Sequence, residues 1–293
     1  MQDCAHNPHN DIQPTSSIPS AIPEEQQKLF QDVLTSLERS RIPYAVAGAF
    51  ALRQHTGICR FTKDLDIFMP PKNAAAVLAV LQQDGFECEV RDPVWLAKAH
   101  RGGFFVDLIT GMSNGIISVD DSWIERACPA IIFGIRTQVL APEELLASKL
   151  FVVRRERFDG SDIAHIVYGS SGKLQWDRIL QLAGDHWELL LWSLMLFRYA
   201  YPAQSNYVPR AIWDDLLSRF SSEVHSPDAN AKFRGSLVDD AMFAIDVAEW
   251  GLDDLVGEAR EKCPKIDAAK IDAARIEVAK TETPTCSTKG NQS

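Results

Sequence analysis

No two of the chain's cysteines form a Cys-x-x-Cys pair. The six, Cys4, Cys59, Cys88, Cys128, Cys263 and Cys286, are scattered over 293 residues. That excludes a sequence-local zinc site and a disulfide scaffold, and it fits a reducing cytoplasm. Long apolar runs are also missing. The longest helical one, WELLLWSLMLF at 187–197, has about half of the ~20 residues needed to cross a bilayer, so it reads as a buried helix and no membrane association is expected. The opening MQDCAHNPHNDIQPTSS has neither the basic nor the apolar region of a secretory signal. Excess positive charge is lacking too. A net charge of -10 excludes a chain that binds nucleic acid through its overall charge, although local basic patches remain open. What the chain does have is a 46% apolar content, enough for a sizeable core.

Periodicity divides the sequence. Residues 1–23 carry Pro, Ser and Asn without a repeat and read as a flexible arm. Residues 24–141 alternate helix and strand signals: a helix at 24–40, a strand at 42–48, a helix at 49–57 closing on Gly57, and a strand DLDIFM. A helix over 73–84 with Asn73 as its N-cap follows, then a strand FECEV, a strand in 102–111, and a hairpin at 131–140 turning on Gly134. Residues 142–261 are helical, predicted at 142–156, 159–168, 175–200, 209–221 and 236–250. Residues 262–293 are a low-complexity tail around KIDAAKIDAARIEVAK. The expected fold is a mixed-sheet α/β domain followed by an all-α domain.

Chemistry concentrates in RFTKDLDIF, residues 60–68. In a strand, Asp64 and Asp66 share one face. Two half-buried carboxylates side by side repel, and a divalent cation compensates both; Mg²⁺ takes carboxylates together with substrate phosphates. A solvated edge strand or a turn with capping aspartates is the simpler alternative for Asp-x-Asp alone. A third carboxylate, Asp107, sits within the apolar FFVDLI. If its strand lies beside DLDIF, three carboxylates converge, as two-metal nucleotidyl transfer requires. Gly48, between a strand and a helix, places backbone N–H groups at a helix N-terminus suited to phosphate.

With these elements the sequence resembles the bacterial nucleotidyltransferases of the DNA-polymerase-β type, and among them the abortive-infection toxin type. VAGAFALRQHTGICRFTKDLDIFM followed by FFVDLI carries the likeness, which covers residues 42–168. Arg60, Thr62, Asp64 and Asp66 match the family's Arg-x-Thr-x-Asp-x-Asp, and His55 and Gly57 fall near its His-Gly. Ala49 stands where that family carries Gly or Ser, so it offers backbone without a hydroxyl. Further along, Lys149 matches a family Lys and Arg157 an Arg. Asp162 matches the first Asp of an Asp-x-x-Asp-type element, with His165 at the second; an alternative register pairs Asp159 with Asp162.

The resemblance implies Mg²⁺ (or Mn²⁺) on Asp64, Asp66 and Asp107, with Asp107 as a base. It also implies an NTP held by Gly48, Ala49, Arg60, Thr62, Lys149, Arg157 and Asp162. The acceptor is RNA such as tRNA, a protein, or a small molecule such as an aminoglycoside, and a cognate antitoxin protein is an implied partner. The alternative from a different class is a degenerate module acting through a partner, suggested by Ala49 and His165. Lys149, Arg154, Arg155 and Arg157 form a basic cluster, suited to triphosphate or RNA, or else a solvated helix face. YGSSGK at 168–173 lacks P-loop spacing; His100, His186 and His225 lack ligand spacing. Trp187, Trp192, Phe197 and Tyr201 read as core packing.

Overall fold

The computed structural model describes residues 22–267, 269–271 and 273–274. Most of the arm expected at 1–23 and of the tail expected at 262–293 lies outside them.

Helix α1, Glu24–Ser40, buries Phe30, Val33, Leu34 and Leu37 completely on one stripe and ends at Arg41 in the left-handed region. Seven strands follow: β1 (Ala45–Val46), β2 (Asp66–Phe68), β3 (Glu87–Asp92), β4 (Leu96–Arg101), β5 (Phe104–Ile109), β6 (Cys128–Ile132) and β7 (Ile135–Val139). They form one sheet in the order β3-β4-β5-β2-β1-β7-β6. The pairs β2–β5 and β1–β7 are parallel and the rest antiparallel, which gives the mixed sheet expected. Helices α2 (Gly48–Thr56), α3 (Pro71–Gln83) and α4 (Asp121–Glu125) complete this half. The β6–β7 hairpin turns through Phe133 and Gly134, both at positive φ, as the twist of a two-residue hairpin demands.

The remainder is helical: α5 (Pro142–Ala147), α6 (Gly160–Gly169), α7 (Trp176–Ala183), α8 (Trp187–Ala200), α9 (Arg210–His225), α10 (Gly235–Val238), α11 (Ala244–Ala248) and α12 (Leu255–Lys262). Helix α2 packs against α5 and α6 and joins the two halves.

Several expectations change. The strand expected at DLDIFM is only Asp66–Phe68, and Asp64 lies in a bend before it. Helix α3 starts at Pro71, a residue pre-set for the first turn; Asn73 is inside it and donates to the Pro43 carbonyl instead of capping. Strand β4 was not anticipated, because Ala97 and Ala99 are its inward residues and give a weak alternation signal. The helix expected to 156 stops at Ala147, since the Arg-rich 154–157 has no apolar stripe and turns back through a Val153–Phe158 bridge. The 175–200 helix breaks at Gly184 (φ 50°). The 236–250 helix is two short pieces, because Asp239 accepts the N–H groups of Arg155, Ala241 and Met242. Trp192, expected in the core, is 50% exposed beside Phe158.

Candidate functional site

Asp66 opens β2, and Asp107 lies directly opposite it in the parallel register with β5. The neighbouring Leu65 and Ile67 are fully buried and fix the sheet's inner face, so both carboxylates emerge on the other. The Leu65 carbonyl accepts the Asp107 N–H at 3.0 Å and continues the ladder into the bend. Asp64 joins from that bend: Thr62 Oγ1 donates to its carbonyl and its Oδ1, each at 2.9 Å. Thr62 therefore orients a carboxylate. One oxygen from each of Asp64, Asp66 and Asp107 lies within 4.8 Å of the others. Three hard oxygen donors, half-buried and of like charge, are a donor set that suits Mg²⁺ or Mn²⁺.

Gly48 begins α2 at φ +54°. A Cβ there would stand 1.8 Å from Asp66 Oδ2, so the helix start and the carboxylate occupy adjoining space that only glycine leaves open. Ala47 N–H donates to the Asp66 carbonyl at 2.9 Å and locks the two segments together. Ala49 follows in the first turn of α2. At the other end, His55 Nε2 meets the Leu140 carbonyl at 2.7 Å and Gly57 (φ 74°) caps the helix, so this pair anchors α2.

Asp66 as a residue is partly exposed, yet its carboxyl is lodged among protein atoms. Burial, then Asp64 and Asp107, push it up to about 7, opposed through space by Lys149 and Arg157. Burial also raises Asp107, opposed by Lys98, whose Nζ lies 2.5 Å from Asp107 Oδ1. A proton therefore competes with a divalent ion for Asp66. Mg²⁺ affinity is expected to rise as pH increases from 6 to 8, by up to about tenfold per unit below the Asp66 value. Titration calorimetry at the two pH values checks this, and equal affinities would contradict it.

Behind the carboxylates sits a second charged network. Lys149 is buried between Asp159 Oδ2 (2.8 Å) and Asp162 Oδ2 (2.7 Å). Arg157 grips Asp159 with two bonds, at 3.1 and 3.0 Å, and Arg60 pairs with Asp162. Burial works to raise Asp159, but the Arg157 and Lys149 contacts overcome it and hold the carboxyl low. The Asp159/Asp162 register is thus the one that engages Lys149. His165, at the position the other register gave to a second Asp, has a buried Nδ1 without a hydrogen-bond partner among the described residues. The expected basic cluster is largely paired in place, with Arg154 on Ser113 and near Asp240, while Arg157 keeps 69% of its side chain exposed beyond its Asp159 contact and Arg155 is exposed without an ion pair among the described residues. Removing Lys149 leaves Asp159 and Asp162, both buried, each with a single and more exposed arginine as its counter-charge. Lys149→Met should cost about 3 kcal/mol and lower Tm by roughly 6–12 °C, read by thermal denaturation; an unchanged Tm would show the network to be unimportant for stability.

Sequence reasoning placed Arg60, Thr62, Asp64, Asp66, Asp107, Lys149, Arg157 and Asp162 in one region, and the structure brings them together. It missed Lys98, because the strand that carries it went unread. Among the rejected features, His100 pairs with Glu89, His225 meets the Ser221 carbonyl, and YGSSGK is the end of α6 and a turn.

A family model described as aminoglycoside-2''-adenylyltransferase matches residues 29–125, a segment that contains Gly48 and all three carboxylates. No curated protein matches the chain. Among solved structures, the antibiotic-resistance factor ANT(2'')-Ia is similar at 16% identity, over 62% of this chain and 96% of its own, with a TM-score of 0.41. The lincosamide adenylyltransferase LnuA, bound to lincomycin, is similar at 17% identity, over 50% and 96%, with a TM-score of 0.35. JHP933 from Helicobacter pylori is similar at 15% identity, over 89% and 96%, with a TM-score of 0.36. The family model and the nucleotidyltransferase pattern read from the sequence overlap over residues 42–125, which hold Gly48 and the three carboxylates, and both point to a nucleotidyltransferase enzyme.

Proposed function

We propose that this chain is a metal-dependent nucleotidyltransferase that moves a nucleoside monophosphate, AMP by the family description, from an NTP to a hydroxyl of a cationic small molecule of the aminoglycoside class. The observation that carries the reading is the convergence of Asp64, Asp66 and Asp107 against the Gly48 helix start, within the matched segment. Bound by these carboxylates, Mg²⁺ (or Mn²⁺) would offset the charge of the triphosphate and of the attacking oxygen. The acceptor oxygen attacks the α-phosphorus in line, the bond to the bridging oxygen breaks, and pyrophosphate leaves with the electron pair. Asp107 receives the acceptor's proton. Gly48 and Ala49 leave room at the α2 N-terminus for phosphate. Lys149 and Arg157 act on the cluster through space, opposing the charge of Asp66, and Arg60 and Asp162 complete the network that holds them.

Charge supports the choice of a cationic acceptor. A chain of net charge -10 attracts polycations and repels RNA. The toxin-type alternative, with tRNA as acceptor and a cognate antitoxin, asks for free cations beside the site; Lys149, Arg157 and Arg60 are instead committed to Asp159 and Asp162. A supply of NTP places the reaction in the cytoplasm, and no helix among the described residues is long and apolar enough to cross a membrane.

The test is transfer of label from α-³²P-ATP to aminoglycosides captured on phosphocellulose, with tRNA and the protein itself as parallel acceptors. Mg²⁺-dependent label on an aminoglycoside is expected. Label on tRNA or protein alone would overturn the acceptor assignment, and label on no acceptor would support the degenerate module.

A further inference from the structure

We propose that Lys98 takes the place of one of the two divalent ions that a three-carboxylate transfer site otherwise holds, so that this site loads a single ion and uses a fixed ammonium at Asp107. The inference rests on the metal-dependent reading above. Its basis is a row of side chains across four strands. Asp66 on β2 is opposite Asp107 on β5, Asp107 is opposite Lys98 on β4, and Lys98 is opposite Glu89 on β3. All four therefore share the face that carries the carboxylate cluster.

Lys98 is held on the Asp107 side of this row. Its Nζ is 2.5 Å from Asp107 Oδ1 and 3.9 Å from the centre of the Phe105 ring, two residues before Asp107 on the same face. Its side chain is 18% exposed and that of Asp107 15%, so the pair is largely shielded from solvent. On the far side, Glu89 does not compete, because Arg91 and His100 both engage it at 2.7 Å. Asp64 and Asp66 form no ion pair among the described residues, which leaves them to the divalent ion.

Geometry sets the count. Paired divalent ions lie ~3.5–4 Å apart in sites of this type, and the ammonium, 2.5 Å from Asp107 Oδ1, stands where a second ion would have to bind that carboxylate. During transfer the acceptor's proton passes to Asp107, while the Lys98 ammonium compensates the charge on the attacking oxygen. Lys98 thus serves as a fixed cation at the acceptor side of the site.

The experiment counts Mn²⁺ on the full chain with the α,β-methylene analogue of ATP, by equilibrium dialysis and by electron paramagnetic resonance. Wild type is expected to bind one Mn²⁺ with an uncoupled spectrum. Lys98→Met is expected to bind a second ion at least tenfold more tightly than wild type does, with the line broadening of two close ions. Lys98→Arg should remain at one. Far-UV circular dichroism checks folding, and Lys98→Gln replaces the Met variant if that one does not fold. Two ions in wild type, or the same count in wild type and a folded neutral variant, would overturn the inference and leave the transferase reading intact. No Mn²⁺ on wild type would overturn the metal-dependent reading itself.

Discussion

Asp66→Asn should abolish nucleotidyl transfer while making the metal-free protein more stable at pH 8. Asp66 joins Asp64 and Asp107 and lies against Gly48, so its loss removes a central ligand; a fall of about a thousandfold or more in kcat/KM is expected, the scale seen when one electrostatic element of a site is removed. Stability moves the other way. Burial and two neighbouring carboxylates push the Asp66 carboxyl from 3.8 up to about 7. A group whose folded value lies above its unfolded value binds its proton more tightly in the fold, so the fold loses stability as pH rises from about 4 and bears the full cost above about 7. Each unit is worth ~1.4 kcal/mol, so the cost is on the order of a few kcal/mol. Asparagine cannot ionise and escapes it. At pH 8 the variant's Tm should exceed that of metal-free wild type by several degrees, and the gap should close as the pH is lowered toward 4. A variant less stable than wild type at pH 8 would show that the cluster is not electrostatically strained.

Gly48→Ala should remove activity by a different route. The new Cβ would meet Asp66 Oδ2 at 1.8 Å, an impossible approach, and φ +54° is itself unfavourable for alanine. The backbone term costs ~1–2 kcal/mol, and Asp66 must move by more than an ångström. A displacement of that size at reacting groups costs about a hundredfold in rate. Gly57 supplies the control: it also has positive φ (+74°), but an added Cβ meets nothing within 4 Å. Gly57→Ala should lose a comparable amount of stability and keep its activity. Steady-state kinetics on folded Gly48→Ala and Gly57→Ala separates the cases, and equal activities would mean that the close approach at Gly48 is not needed for catalysis.

The parts of this site legible in the sequence were those with a local signature. Asp64 and Asp66 one residue apart, Asp107 inside an apolar run, and Gly48 between strand and helix signals each follow from neighbours along the chain. The shared strand face predicted for Asp64 and Asp66 was not how the pair is built, since Thr62 and a bend carry Asp64 to the cluster. Lys98 was invisible because its strand alternates alanine with polar residues, and its role depends on a register that local spacing does not reveal. Likewise the choice of Asp159 over His165 as the companion of Asp162 is set by where Lys149 enters, after a helix that ends earlier than its periodicity suggested. The short α10 and α11 are shaped by Asp239 and Arg155, which lie 84 residues apart.

The most direct test of the central claim is a thermal shift with ATP, with and without Mg²⁺, on wild type and Asp66→Asn. The account predicts a Mg²⁺-dependent rise for wild type of several degrees, since a ligand at a hundred times its Kd stabilises by ~2.7 kcal/mol, and no such rise for Asp66→Asn. No shift in wild type, or an equal Mg²⁺-dependent shift in Asp66→Asn, would contradict the assignment of the nucleotide and its metal to Asp64, Asp66 and Asp107.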